Sequence, residues 1–373
     1  MKNKILILLP LLGQPREAKR IQMLKQIGFD VEVAYFERDY HKGRTPDCKC
    51  TSLGKIEHGK YFSRIFIFLK SLFRLRRMSK NFDLLYCSGP DMAYFSMVST
   101  IGLGIPKVME VGDLREIQFR PNLVGACFRL VEKTFVRKCK FIVTTSEGFI
   151  DGYYKNLDKN LDYLVLENKL EKRPLESQEQ NPARKNDDVI RIGYFGLLRC
   201  NWSWKVLSAL AEKNPDRFEI FVAGYDFGLE GFEKDIDRLD NIEYYGTYKS
   251  PQDLYTLYSQ IDLVWGVFPI PTKPSDQNWK WAKTNRFYES LYYKKPLVVL
   301  DGSGDAPAVN SLDVGVNIKR DSVANAVSFL EKLNLEDIQR LEKNAEEVPE
   351  HIYMYNQEYE QLKEKILSVL IKD

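Results

Sequence analysis

Residues 5–9 form an unbroken apolar run, the pattern of a strand buried on both faces of a parallel sheet. Apolar positions then recur with helical spacing over 16–27, and Gly28 supplies the stop. This alternation of short apolar run and amphipathic stretch continues along the chain. It predicts strands at 31–36, 82–87, 106–111, 141–145 and 164–167. Helices are expected after Ser88-Gly89-Pro90-Asp91 through Thr100, over 123–138, and after Ser146, a suitable N-cap. Residues 172–188 are polar, contain Pro174 and Pro182, and lack any apolar period, which reads as a linker. A second series follows, with strands at 190–195, 219–223, 242–245, 263–266 and 297–300. Helices over 204–212, 231–239, 252–260 and 285–293 separate these strands, and helices over 335–346 and 353–371 end the chain.

Such alternation implies α/β architecture with doubly wound parallel sheets. The 373 residues exceed one ordinary core, so two domains are expected. We place the first over residues 1–172, a linker over 173–188, the second over 189–350 and a terminal helix over 351–373. The carboxyl ends of both sets of strands would line a cleft.

Composition refines this picture in three ways. Net charge is only +3, but residues 1–80 hold 18 Lys and Arg against 7 Asp and Glu, which suggests an anionic partner for that end. Six scattered cysteines read as free thiols of a reducing cytoplasm. The apolar start is broken by Pro10 and followed by Arg16 and Glu17 without a small-residue cleavage site, so a first strand is expected rather than a signal peptide. No run approaches the roughly 18 apolar residues of a membrane span.

Several chemistries are disfavoured. The first strand is not followed by Gly-x-Gly-x-x-Gly, and no phosphate-loop or Gly-x-Ser-x-Gly motif occurs. His41, His58 and His351 are the only histidines, and none has metal-ligand spacing. Two stretches carry more. Gly193 and Gly196 let backbone approach a ligand closely, Arg199 follows the strand, and Lys205 is expected in the first helical turn, where an anion would offset its charge. In Thr284-Asn285-Arg286-Phe287-Tyr288-Glu289, the acid falls on a helix that must pack on a sheet. Either Glu289 pairs with Arg286, or it points into a cleft and binds a ligand's hydroxyls.

Gly193–Arg199 with Lys205 resembles the Gly-x-x-Gly-x-x-Arg … Lys element of the retaining glycosyltransferase family 4. Asn285-Arg286 with Glu289, before Lys295-Pro296-Leu297-Val298-Val299, is similar to that family's donor-binding helix and strand. Val222-Ala223-Gly224, Tyr245-Gly246-Thr247-Tyr248 and Asp253-Leu254-Tyr255 with Ile261-Asp262-Leu263 resemble further family elements in the same order. Glu110-Val111-Gly112-Asp113-Leu114-Arg115-Glu116 resembles its acidic strand end on the acceptor side. The chain departs from the family at Trp281, where many members carry a first glutamate, and at the loop after the first strand, reduced to Gly13.

The resemblance implies a GT-B fold of two Rossmann-like domains, with the last helix crossing back to the first. It implies transfer of a sugar from a nucleotide diphosphate sugar to a hydroxyl, on a lipid-linked glycan of bacterial capsule, exopolysaccharide or O-antigen synthesis. The reaction would be metal-independent, without a cofactor, and retaining. Arg199 and Lys205 would stabilise the leaving diphosphate, with Asp113 or Glu116 as base if the reaction inverts. Gly196, Tyr248, Asn285, Arg286 and Glu289 would bind the donor. Gly13, Arg16 and Glu110 would face the acceptor. The alternatives are a GT-B protein that binds a glycan or partner without turnover, and a sugar-nucleotide epimerase of the same fold.

One stretch stands apart. Residues 61–77 form a basic, aromatic-rich helix with Arg64, Lys70, Arg74 and Arg77 beside Phe62, Phe66, Leu69 and Phe73. It either lies on an anionic membrane or packs on the first sheet with a solvated basic face. Nothing that follows it matches an RNA- or DNA-binding module, so no nucleic-acid partner is expected. The expected location is the cytoplasm, on the inner face of the membrane if the helix docks there.

Overall fold

The computed structural model describes residues 2–37, 46–55, 61–171, 189–269 and 275–371. The linker expected over 173–188 lies outside them. The chain divides into two compact units, Met1–Asn168 with Asn356–Asp373, and Lys169–Tyr355.

Unit 1 runs β1 (Lys4–Leu9), α1 (Pro15–Gln26), β2 (Asp30–Glu37), β3 (Lys49–Lys55), α2 (Tyr61–Ser79), β4 (Leu84–Ser88) and α3 (Gly89–Ser99). It continues through β5 (Lys107–Val111), α4 (Glu116–Phe119), α5 (Leu123–Val136), β6 (Phe141–Thr144), α6 (Glu147–Phe149), a π-helical turn (Ile150–Tyr154), α7 (Lys155–Leu157) and β7 (Tyr163–Val165). All strands are parallel, in the order β3-β2-β1-β4-β5-β6-β7. The apolar run of β1 lies at the centre, with Ile5 through Leu9 buried, as burial on both faces requires. The π-helical turn places the Tyr153 and Tyr154 hydroxyls on the buried carboxylate of Glu132, which also accepts from Gln118 Nε2 at 2.8 Å. Burial nonetheless pushes the Glu132 carboxyl up to about 7.

Unit 2 runs β8 (Ile190–Leu198), α8 (Asn201–Lys213), β9 (Phe218–Asp226), α9 (Phe232–Arg238), β10 (Ile242–Gly246), α10 (Leu254–Ser259) and β11 (Leu263–Trp265). It continues through α11 (Asn285–Tyr292), β12 (Leu297–Leu300), α12 (Ala306–Leu312), β13 (Gly315–Ile318), α13 (Val323–Leu330) and α14 (Leu335–Glu347). Its parallel sheet has the order β10-β9-β8-β11-β12-β13. One apolar layer is built around Trp204, Trp265 and Leu210, the other around Phe221, Tyr258, Phe287 and Tyr288. The strand order reverses between β8 and β11 here, and between β1 and β4 in unit 1. In doubly wound sheets the crevice beyond the carboxyl ends of such strands is where ligands bind.

Helix α15 (Glu358–Leu370) belongs to unit 1, where Lys365 pairs with Asp162 and lies over the Phe141 ring. It begins five residues later than its apolar pattern predicts. Tyr353, Met354 and Tyr355 are buried instead, and Leu170 pairs with Met354 through Leu170 N to Tyr353 O at 2.8 Å and Tyr355 N to Leu170 O at 3.0 Å. Strands β3 and β13 do not appear in the apolar pattern. Both are edge strands: Leu53 is the only buried residue of β3 and Ile318 the only one of β13, so neither carries the signature of a central strand.

At the register pair Gly196–Gly224 the two central strands approach so closely that a Cβ on Gly224 would lie 1.8 Å from the Gly196 carbonyl oxygen, at a φ of +142°. Gly224→Ala therefore combines a backbone clash with left-handed strain. It should lower stability by about 2–4 kcal/mol, whereas Gly102→Ala, with open space around it, should cost only about 1–2 kcal/mol. Urea unfolding of both variants checks this, and equal losses would contradict the close approach.

Candidate functional site

The switch point of unit 2 gathers residues from four segments. Thr284 caps α11, its Oγ1 accepting from Phe287 N, while its own N–H donates to the buried Asp305 carboxylate at 3.0 Å. This fixes the start of α11 and so the direction of Arg286. The Arg286 Nε pairs with Glu289 Oε2 at 3.0 Å, and its Nη1 donates to the Tyr248 hydroxyl at 3.1 Å. The same Nη1 lies 3.8 Å from where a Cβ on Gly196 would stand. Tyr258 donates to Glu289 Oε2 at 2.8 Å and stacks on Tyr293. The structure thus brings together Gly196, Tyr248, Arg286 and Glu289, and adds Tyr258.

It also chooses between the two readings of Glu289. The carboxylate is 4% exposed and held by Arg286 and Tyr258, so it does not project into solvent as a free acceptor of ligand hydroxyls. A charge in so little water needs its partner. Burial works against the Arg286 charge, but Glu289 and the two tyrosines outweigh it and hold the guanidinium firmly protonated. Among the described residues three of its five N–H groups have partners. Burial, and then Glu289, push the Tyr258 hydroxyl well above its usual range, so it remains a donor.

The remaining donor-side residues separate. Asn285 opens α11 and is exposed. Arg199 is exposed just past β8. Lys205 requires correction. Helix α8 begins at Asn201, three residues earlier than predicted, which puts Lys205 in the second turn. There its Nζ pairs with Glu230 at 2.8 Å, so an anion is not needed to offset its charge.

In unit 1, Gly13 has a φ of +96° in the turn after β1. Arg16 follows, and its guanidinium occupies the space a Cβ on Gly112 would fill while pairing with Asp113 at 3.2 Å. Glu110 is not an acceptor-facing acid. It is buried and takes Arg20 Nε at 2.9 Å, Arg20 Nη2 at 3.1 Å and the Tyr86 hydroxyl at 2.6 Å. Burial opposes its charge, yet Arg20 wins and keeps the carboxyl below its usual value. Glu116 pairs with Arg120 one turn on, whereas Asp113 is largely exposed. Glu17 was not singled out by its sequence. Its Oε1 accepts from Ser88 at 2.9 Å at the end of β4, and its buried Oε2 has no partner among the described residues. Burial pushes this carboxyl up to about 7.

On α2, Ser71, Leu75 and Ser79 are buried, while Lys70, Arg74 and Arg77 are exposed. Leu69 and Phe73 are exposed as well, Phe73 by 74%, so these apolar positions do not pack on the sheet. The side chain of Arg64 lies outside the described set.

No protein-family model matches the chain. The succinoglycan biosynthesis protein ExoL of Rhizobium meliloti (strain 1021) is 24% identical over 346 residues, covering 88% of this chain and 84% of ExoL. Anabaena HepE in complex with UDP matches 99% of this chain and 100% of its own, with a TM-score of 0.66 at 15% identity. Sucrose-phosphate synthase from Thermosynechococcus elongatus gives 0.72 over 99% of both chains at 12% identity. The lipopolysaccharide outer core galactosyltransferase WaaB gives 0.64 over 98% of this chain and 99% of its own, also at 12% identity. The fold is GT-B. The Arg286 cluster sits at the switch point of its second unit.

Two outcomes follow from the site geometry. Removing one partner of a buried ion pair strands the other, so Glu289→Ala and Arg286→Met should each cost about 3–5 kcal/mol. Glu289→Ala with Arg286→Met should cost far less than the sum of the two single changes. Additive losses in a double-mutant cycle of urea midpoints would deny the pairing.

The second outcome concerns pH. The Glu17 carboxyl is raised when folded, so it stabilises the fold fully below its unfolded value of about 4.5. That contribution is lost as pH rises toward about 7. Glu17→Gln should thus be nearly neutral at pH 4.5 and stabilising by about 3 kcal/mol at pH 8. Melting curves at the two pH values check the sign.

Proposed function

We propose that this chain is a glycosyltransferase of bacterial polysaccharide assembly. It moves a sugar from a nucleoside diphosphate sugar onto a hydroxyl of a glycan, and we take that glycan to be lipid-linked. The observation that carries this reading is a preoriented Arg286, held by Glu289 and Tyr248, at the switch point of a GT-B unit beside the Gly196 turn. The likeness to ExoL over most of both chains supports polysaccharide synthesis. HepE, solved with UDP and with UDP-glucose, supports a uridine diphosphate donor.

In this reading the positive charge of Arg286, with exposed Arg199 beyond β8, meets the charge that develops on the departing diphosphate. Fixed charges of this kind stabilise a transition state without reorganising. Glu289 is a positioning residue, since it holds the guanidinium rather than the sugar. We read the reaction as retaining, with the leaving phosphate accepting the hydroxyl proton, which suits a chain poor in histidine. If it inverts, exposed Asp113 is better placed than Glu116, which is paired. We read it as needing neither metal nor cofactor. Among the described residues no group of three or more His, Cys, Asp or Glu side chains is gathered to hold a metal ion. We place the enzyme at the cytoplasmic membrane surface, with α2 facing anionic lipid. Among the described residues no helix is long and apolar enough to cross a membrane.

A second reading is a GT-B protein that binds without turnover, favoured by the internal pairing of Glu289. Nucleotide release from a panel of UDP-sugars, measured in EDTA, separates the two. We expect release with at least one donor. Arg286→Ala should lower it by ~10²-fold or more, as removal of a transition-state donor does. Tight UDP binding with no release for any donor and acceptor would favour the second reading. Activity that needs added magnesium would exclude the metal-independent mechanism.

A further inference from the structure

Helix α5 buries Phe135 and Val136 at its C-terminal end but also carries a second, exposed apolar face. Its apolar residues Leu123, Val124, Leu130 and Val131 are exposed, by 84% at Leu123 and 66% at Leu130, and Cys127 between them is exposed too. Spaced at three and four residues, they form one stripe along the helix. The only acid of α5, Glu132, faces inward onto Tyr153 and Tyr154. The outward face therefore carries no negative charge. Lys133 is half-buried beside the stripe, with no partner among the described residues, and Arg137 and Lys138 are exposed at its end.

A cavity of about 610 Å³ opens against this stripe. Arg120, Arg129 and Lys133 line it, together with Phe119, Leu130 and Leu157. Arg129 is fixed by Nη1 donating to the carbonyls of Gln118 at 3.0 Å and Arg120 at 2.9 Å. Arg120 is paired with Glu116 at 3.2 Å, which leaves Arg129 and Lys133 as the lining cations without an acidic partner among the described residues. Two such cations and apolar walls beside an exposed apolar stripe suit a molecule with a phosphate at one end and hydrocarbon at the other.

We propose that α5 docks on an anionic lipid bilayer, seating a lipid phosphate beside Arg129 and Lys133 while the Leu123–Val131 stripe enters the acyl boundary. Charge complementarity favours lipid, because the stripe is apolar, Arg129, Lys133, Arg137 and Lys138 make its rim basic, and the one acid of α5 is turned away, while Glu116 is taken up by Arg120. Interfacial helices bind by this combination of buried apolar area and attraction to anionic headgroups. Through α3, which packs on both α2 and α5, the exposed Leu69 and Phe73 of α2 belong to the same helical layer. The inference deepens the membrane reading given above and makes α5 the principal anchor.

Flotation of the full chain with vesicles of equal parts phosphatidylcholine and phosphatidylglycerol tests it. We expect binding that weakens with salt and is at least ten-fold weaker on phosphatidylcholine alone. Leu130→Asp with Val131→Asp, and separately Lys133→Glu with Arg137→Glu, should each reduce binding at least ten-fold. UDP affinity should stay unchanged, since both pairs lie on α5 of unit 1, and melting temperature should change little, since none of the four residues is fully buried. Excess inorganic phosphate should compete only weakly, because the stripe contributes as well. Parent-like vesicle binding by both double variants would overturn the proposal. So would parent-like binding by the apolar variant while Lys70→Glu, Arg74→Glu and Arg77→Glu together abolish it, which assigns the membrane to α2 alone. A wild type that ignores vesicles and forms a dimer dissolved by Leu130→Asp would make the face a self-interface instead. Loss of UDP binding in the wild type would sink the enzymatic reading and leave this result standing.

Discussion

The buried pair between Arg286 and Glu289 is the interaction on which the donor-side geometry depends. Neither charge could remain in so little water without the other. Together they fix three things. They hold the guanidinium charged, they tie α11 to α10 through Tyr258, and they lock Arg286 beside the Gly196 turn through Tyr248. The Thr284 cap and the Asp305 carboxylate beneath it determine where the helix starts, and so where the arginine reaches. A ligand anion would meet a charge already paid for in desolvation, with little rearrangement left to make.

Unit 1 repeats the arrangement with different residues. Arg20 and Glu110 form a buried pair completed by Tyr86, and Arg16 lies over Gly112 in front of it. Each switch point thus has an arginine, an acid and a tyrosine at the carboxyl ends of its strands. The acids serve the arginines in both.

Central strands and the principal helices were legible because each buried strand is a continuous apolar run and each helix has its own period. The order of loose motifs along the chain was enough to place the GT-B fold. What stayed hidden depends on partners far apart in sequence. Glu289 and Arg286 are three residues apart, and their pairing could be foreseen as one of two outcomes, but Tyr258, 31 residues away, could not. Glu110 looked available because Arg20 lies 90 residues before it. Glu17 carried no signal except its place beside Arg16. Helix α5 was recognisable as a helix, yet nothing in its spacing told which face turns inward. The two tyrosines delivered by the π-helical turn decide that by capturing Glu132.

The pairing of Leu170 with Met354 bears on how the chain is assembled from its modules. Residues 169–355 form an insertion within unit 1, and the two ends of that insertion are hydrogen-bonded side by side. Cutting the gene at those two points would release a module whose termini already meet, so it would need no redesign to close. The remaining host would be left with a gap short enough for a few residues to span. An architecture of this kind holds its second module by a single pair of adjacent chain crossings, so the module can be gained, lost or replaced by events at one place in the fold.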